Sequence, residues 1–231
     1  MKTFATKNKD KVIDLLAERL CFERASVKLY EKVMERMARA AAARETASEG
    51  EGDYTTYGLS GYGSDVFRGM HRDIGQEQGA SEDERRTRER ERRVVAEMVP
   101  RVKAIQEQEQ EHRHWLEDRI RELGGDARAR TELARLSARE MKGIEAVVAK
   151  DPELPHLLHA LLAAEHVDSA GWDLLAVLAA EAGDLEAKSE FEERLHQEER
   201  HLAFLREALR SFTAQDVLDA ELEAPPMPHA P

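Results

Sequence analysis

The chain has 231 residues, long enough to bury a core as one large or two small domains. Its 47 acidic residues against 35 lysines and arginines leave a net charge of -12, which sets it against nucleic-acid backbones and anionic membrane surfaces. Charged residues at 35% and aromatics at 5% predict an all-α protein of long solvated helices and exclude a β-rich fold.

The first helix is predicted from an Asn8 or Asp10 cap to about Arg44, a stretch without Gly or Pro. Between about 45 and 80 the composition changes: eight of the 13 glycines and three of the four tyrosines fall there, which reads as an insertion. Ser81-Glu82-Asp83-Glu84 has capping-box spacing and opens a second helix that ends at Gly124-Gly125, with Pro100 expected to kink it or divide it at Val99. Residues 126–150, with Leu133, Leu136, Ile144 and Val148, read as a partly helical connection. Asp151-Pro152 is the expected start of a third helix ending near Gly183, and Asp184 is the expected cap of a fourth that runs to about Phe212. The domain is therefore drawn over 1–212, with a disordered Pro-rich tail over 213–231. One cysteine, Cys21, excludes an internal disulfide and a cysteine-based metal centre within one chain. The lack of an apolar run of signal or transmembrane length makes the cytoplasm the expected location.

Each helix carries an apolar seam interrupted by acid. In the first, Leu16, Leu20, Val27, Tyr30 and Met37 bracket Glu23; in the second, Met98, Val102, Ile105 and Leu116 bracket Glu109 and His112. The third places Glu165 between Leu158, Leu162 and Trp172, and the fourth places Glu198 and His201 between Phe191, Leu195 and Leu205. Carboxylates at one depth of a core need compensating positive charge, and the seams offer too few basic residues, so a dinuclear metal centre is the expected partner. In an ExxH pair the two side chains share a helix face and can reach one ion together. Five such pairs occur, but Glu111/His114 and Glu193/His196 fall on charged faces and Glu153/His156 at a helix start, which leaves Glu109/His112 and Glu198/His201. The two halves also repeat: Glu23 precedes Tyr30 by seven residues as Glu165 precedes Trp172, and Glu109-x-x-His112-x-x-Trp115-Leu116 parallels Glu198-x-x-His201-x-x-Phe204-Leu205.

Glu, ExxH, Glu, ExxH on four helices resembles the ferritin-like di-iron carboxylate superfamily of bacterioferritins and rubrerythrins. Further echoes are Tyr30 after Glu23, the Leu123-Gly-Gly stop, and Glu198-Glu199-Arg200-His201 with Leu202 and Leu205. Phe22-Glu23-Arg24 and Gly171-Trp172-Asp173-Leu174-Leu175 are similar to little-characterised bacterial ferritin-like proteins. The resemblance implies a ferritin-like four-helix bundle with one long crossover between helices 2 and 3. It implies two Fe ions, or Mn, bridged by Glu109 and Glu198, with Glu23 and His112 completing one shell and Glu165 and His201 the other. The implied activity is oxidation of Fe(II) or reduction of dioxygen or peroxide in iron or oxidative-stress handling. A non-catalytic metal-holding bundle and a dimanganese catalase-like protein are the alternatives. Iron and dioxygen or peroxide are the expected partners, a homodimer is a candidate assembly, and neither nucleic acid nor membrane is expected. The rubrerythrins' four-cysteine electron-transfer domain has no counterpart here, and a 53-residue surplus in the first hairpin argues against a closed storage cage.

Overall fold

Five helices carry the chain in a computed structural model that describes residues 1, 3–42, 82–149, 153–218 and 220–226: α1 (Lys9–Ala42), α2 (Glu82–Glu122), α3 (Glu132–Val148), α4 (Leu154–Glu181) and α5 (Leu185–Leu218). Among the described residues there is no strand, so the protein is an all-helical bundle, and no helix is long and apolar enough to cross a membrane. The insertion at about 45–80, the Ser81 cap and Asp151-Pro152 lie outside the described residues.

The helix ends follow local chemistry. Asn8 caps α1, its Oδ1 accepting from Lys11 N at 3.1 Å. Gly124, at φ 77°, and Gly183, at φ 72°, each close a helix in the left-handed conformation that only glycine adopts cheaply. In both turns the following amide reaches back into the last turn of the helix, Gly125 N to Ile120 O and Asp184 N to Ala179 O. Asp184 then caps α5 through Ala187 N at 3.1 Å. Glu153 stands at the N-cap position of α4 without a side-chain cap bond, and Pro155 lies in the first turn.

Two details differ from expectation. Pro100 does not divide α2, and Val95, Met98, Val102 and Ile105 keep the buried face continuous on both sides of it. The connection at 126–150 is partly helical as expected: it holds α3, capped by Thr131, whose buried face is Ala134, Ser137, Met141 and Val148, while Leu136 is exposed. No Gly or Pro stops α5 at Phe212, so it continues to Leu218, and the chain beyond returns to the core, where Leu222 is buried. Ser211 Oγ donates to Glu223 O at 2.9 Å and Arg101 donates to Pro225 O, so disorder from 213 onward does not describe 213–218 or 220–226.

Residue pairings fix the helix directions. Arg24 meets Glu117 and Glu31 meets Gln106, so α1 and α2 run antiparallel. His112 meets Gln197 and Gln108 meets His201, which makes α2 and α5 antiparallel; Tyr30 with Glu165 and Glu23 with Trp172 do the same for α1 and α4. The Ala182–Asp184 turn folds α5 back along α4. Hence α2 and α4 are parallel, with α3 packed on α1 and α4 along the route between them.

The core is divided. One apolar cluster gathers Leu16, Leu20, Leu116, Ile120, Trp172 and Phe191; the other gathers Tyr30, Ile105, Met98, Leu161, Leu205 and Phe212. Each of α1, α2, α4 and α5 passes from one cluster to the other through acidic or imidazole side chains, so the polar residues share one level of the bundle.

Candidate metal centre

All six residues singled out by seam position converge there: Glu23, Glu109, Glu165 and Glu198 are fully buried, and His112 and His201 are 2% exposed. The rejected ExxH members Glu111, His114, Glu153, His156, Glu193 and His196 are all exposed. The grouping is tight. One ligand atom each from Glu109, Glu165, Glu198 and His201 lie within 4.8 Å of one another, and so do those of Glu23, Glu109 and His112. Glu109 belongs to both groups.

The two histidines are held alike. His201 Nδ1 faces the acids, 3.2 Å from oxygens of Glu109, Glu165 and Glu198, while its Nε2 bonds Gln108 Oε1 at 2.7 Å. His112 Nδ1 lies 2.9 Å from Glu198 Oε1 and 3.6 Å from Glu23 Oε1, and its Nε2 meets Gln197 Oε1 at 2.5 Å. Each glutamine immediately precedes the ExxH glutamate of one half and serves the histidine of the other. A carbonyl oxygen on the outer nitrogen fixes an Nε2–H donor there, with the amide orientation assigned from this network, and points Nδ1 inward as the ligating atom.

Outer contacts orient the carboxylates as well. Tyr30 donates to Glu165 Oε1 at 2.5 Å, and Trp172 Nε1 donates to Glu23 Oε1 at 3.1 Å. Trp172 also sets its ring edge-on to His112, at 5.5 Å between centroids. Both aromatics therefore touch the cluster through polar atoms as well as filling core.

Among the described residues, donors for the remaining oxygens are missing. Glu109 lacks a hydrogen-bond partner on either oxygen, as do Glu23 Oε2, Glu198 Oε1 and His112 Nδ1. His112 Nδ1 and Glu198 Oε1 face each other as an ion pair at 2.9 Å. Leaving so many buried polar atoms without partners is costly in an apolar core, and a hard or borderline cation within reach of O and N donors satisfies all of them.

Protonation follows the same crowding. Burial, helped by the charges of Asp168 and Glu109, pushes the Glu23 carboxyl well above its usual range; burial with Glu109 and Glu198 does so for Glu165. Glu198 goes the other way: against burial, the charge of His201 and the approach of both histidines hold it below the usual carboxylate range. The histidines are raised well above 6.5, since the acids around them outweigh desolvation. Without an ion, protons on the imidazoles supply the positive charge.

Two buried residues were not read from the sequence. Asp168, three positions after Glu165 and so on the same face of α4, is 1% exposed and shares a 4.8 Å group with Glu23, Glu109 and Glu198. Arg19, one turn before Glu23 and 2% exposed, donates to Asp168 Oδ1 at 2.8 Å and to Glu18 Oε1 at 2.5 Å. It corrects the expectation of too few basic seam residues by one, yet it answers only Asp168 and Glu18, and Asp168 Oδ2 stays without a partner. Gly171 makes this possible: a Cβ there would fall 2.2 Å from Arg19 Cζ, so the guanidinium crosses α4 only where a side chain is absent. The spacing Glu165-x-x-Asp168 was the available signal.

Comparison of the chain with protein-family models, with curated proteins and with solved structures gave no match.

Proposed function

We propose that this is a ferritin-like dinuclear metal protein whose two ions, iron with manganese as the alternative, are held by Glu23, Glu109, His112, Glu165, Glu198 and His201. In this reading the chain is a four-helix bundle of α1, α2, α4 and α5, with α3 in the crossover that sets α2 parallel to α4. The observation that carries the reading is Glu109: fully buried, without a hydrogen-bond partner on either oxygen, and common to both donor groups. A carboxylate with two free oxygens between two donor sets is suited to bridging, and Glu198, 3.2 Å from His201 and 2.9 Å from His112, has the same two-sided placement.

Bound ions would supply a shared redox change and Lewis acidity toward dioxygen or peroxide. The chain's own contribution is to aim both Nδ1 atoms inward through Gln108 and Gln197, and to hold a proton at Tyr30 Oη against Glu165. Burial of Tyr30 beside Glu165 raises its phenol well above 10, so that proton stays in place at neutral pH. The apolar clusters on both sides keep water from the acids. Oxidation of Fe(II), with dioxygen or peroxide as acceptor, is the activity proposed.

Fe(II) added anaerobically at two per chain and then mixed with oxygenated or peroxide-containing buffer tests it. Consumption of either oxidant faster than by Fe(II) alone is expected. Tight retention of two Fe(II) with no acceleration would make the protein a metal holder without turnover.

A further inference from the structure

A second site lies on the opposite side of α1 from the acids, in a groove of about 860 Å³ between α1 and α3. Its walls are cationic. Arg24 and Lys28 stand one turn apart on α1; Arg135, Arg139 and Lys142 follow one face of α3; Arg128 and Arg130 close the end from the preceding loop. Among the described lining residues only Glu145 is acidic.

Several exposed helix cations elsewhere have an acid one turn away, as in Glu82/Arg86, Lys103/Glu107, Glu117/Arg121 and Lys188/Glu192, and the like-charged neighbours Arg86/Arg90 and Arg88/Arg92 on α2 have Glu89 and Glu91 interleaved. In the groove the i,i+4 neighbours Arg24/Lys28 and Arg135/Arg139 are like-charged, an arrangement that destabilises a helix surface unless something anionic sits against it. On a chain of net charge -12 such a concentration of positive charge focuses a field that draws anions to one place. Part of the groove is already rigid: Arg24 donates to Ala127 O at 3.0 Å and to Glu117 Oε1 at 2.8 Å, tying α1 to the loop that carries Arg128 and Arg130. The floor differs from the walls, being built of alanines, among them Ala17, Ala25, Ala134 and Ala138, with Cys21 and Met141. Small apolar side chains leave room for a flat or apolar body beneath the ring of cations, and the volume is that of a small-molecule site.

We infer that this groove binds an organic polyanion: a small molecule with several phosphate or carboxylate groups on an apolar or planar body. The guanidinium forks of Arg135 and Arg139 on α3 and of Arg128 and Arg130 in the loop would take the anionic groups in bidentate fashion, Lys28 on α1 would add a point charge, and the alanine floor would take the body. The inference is independent of the metal centre.

Cys21 gives a reporter, because it is the chain's single cysteine and lies half-buried in the floor. The test follows modification of the full-length protein by N-ethylmaleimide, with ATP, inorganic tripolyphosphate, or EDTA as a control for chelation. ATP is expected to slow the reaction at least fivefold, and tripolyphosphate and EDTA, which lack a planar body, less. Calorimetry should give matching affinities that weaken as salt is raised. R135E/R139E, both exposed on α3, should lose at least tenfold in ATP affinity, while R85E/R88E, on α2 away from the groove, should not. Absence of binding at millimolar ATP, or ATP affinity unchanged in R135E/R139E, would overturn the proposal. Equal affinity for tripolyphosphate and ATP would overturn the role given to the floor.

Discussion

Alanine in place of Gly171 should destabilise this protein, although glycine within a helix ordinarily costs stability. The added Cβ would sit 2.2 Å from Arg19 Cζ and 2.3 Å from its Nε and Nη1. The guanidinium has nowhere close to go: it lies over the Phe22 ring, 5.0 Å from the centroid, and is held between Glu18 and Asp168. Displacing it removes the partner of the buried Asp168, which must then take up a proton or stay charged and unpaired, a loss of up to about 3–5 kcal/mol for a broken buried ion pair. Against this stands a gain of about 1 kcal/mol from the better helix propensity of alanine. A net loss of up to about 2–4 kcal/mol lowers the unfolding temperature by up to roughly 4–16 °C for a chain of this size. Gly143, in α3, is the matched control: a Cβ there would meet nothing within 4 Å, and Gly143→Ala should gain about 0.5–1 kcal/mol. Thermal unfolding followed by circular dichroism decides it. A Gly171→Ala protein that unfolds at or above the wild-type temperature would refute the reasoning.

The chelator-treated protein should lose stability as pH rises from about 5 to 8. His112 and His201, with folded pKa values above 6.5, contribute stability that is complete below that pH and fades as pH climbs through the folded values. Glu23, Glu165 and Asp168, also raised, act in the same direction from ordinary values of 4.5 and 3.8, whereas lowered Glu198 loses its contribution only as pH falls below 4.5. Unfolding temperatures that rise with pH across that window would contradict this. Metal affinity should show the opposite trend, since an ion must displace the imidazole protons at Nδ1. Gln108→Leu and Gln197→Leu should each weaken metal binding about 10–100-fold by freeing the outer nitrogen of His201 or His112, with Gln110→Leu unchanged in a competition titration.

Much of the centre was legible in the sequence because an acid at an apolar seam position stands out on α1, α2 and α5. Seam phase separated Glu109/His112 from Glu111/His114 although the two pairs overlap. The fourth strip of the site was harder to read. The buried face of α4 is centred on Leu161, Asp168 and Leu175, whereas a seam drawn through Leu158, Leu162 and Trp172 runs along its edge and passes Ser169 instead of Asp168. Arg19 was hidden for a related reason: an arginine at a helical position reads as solvated, and only the gap left by Gly171, 152 positions further along the chain, makes its burial possible. Gln108 and Gln197 did carry a signal, the same offset before each ExxH glutamate. Net charge averaged away the basic groove, which forms only when α3 and its leading loop fold against α1.

The central claim, that the buried acids and histidines exist to hold two metal ions, is tested most directly by elemental analysis of protein purified without added metal. Close to two first-row transition ions per chain are expected. Glu109→Ala and Glu198→Ala should abolish the pair, while Glu111→Ala and Glu193→Ala, at exposed positions on the same helices, should retain it. Metal-free wild-type protein that takes up no ion when iron or manganese is supplied, or equal loss from the buried and exposed variants, would contradict it.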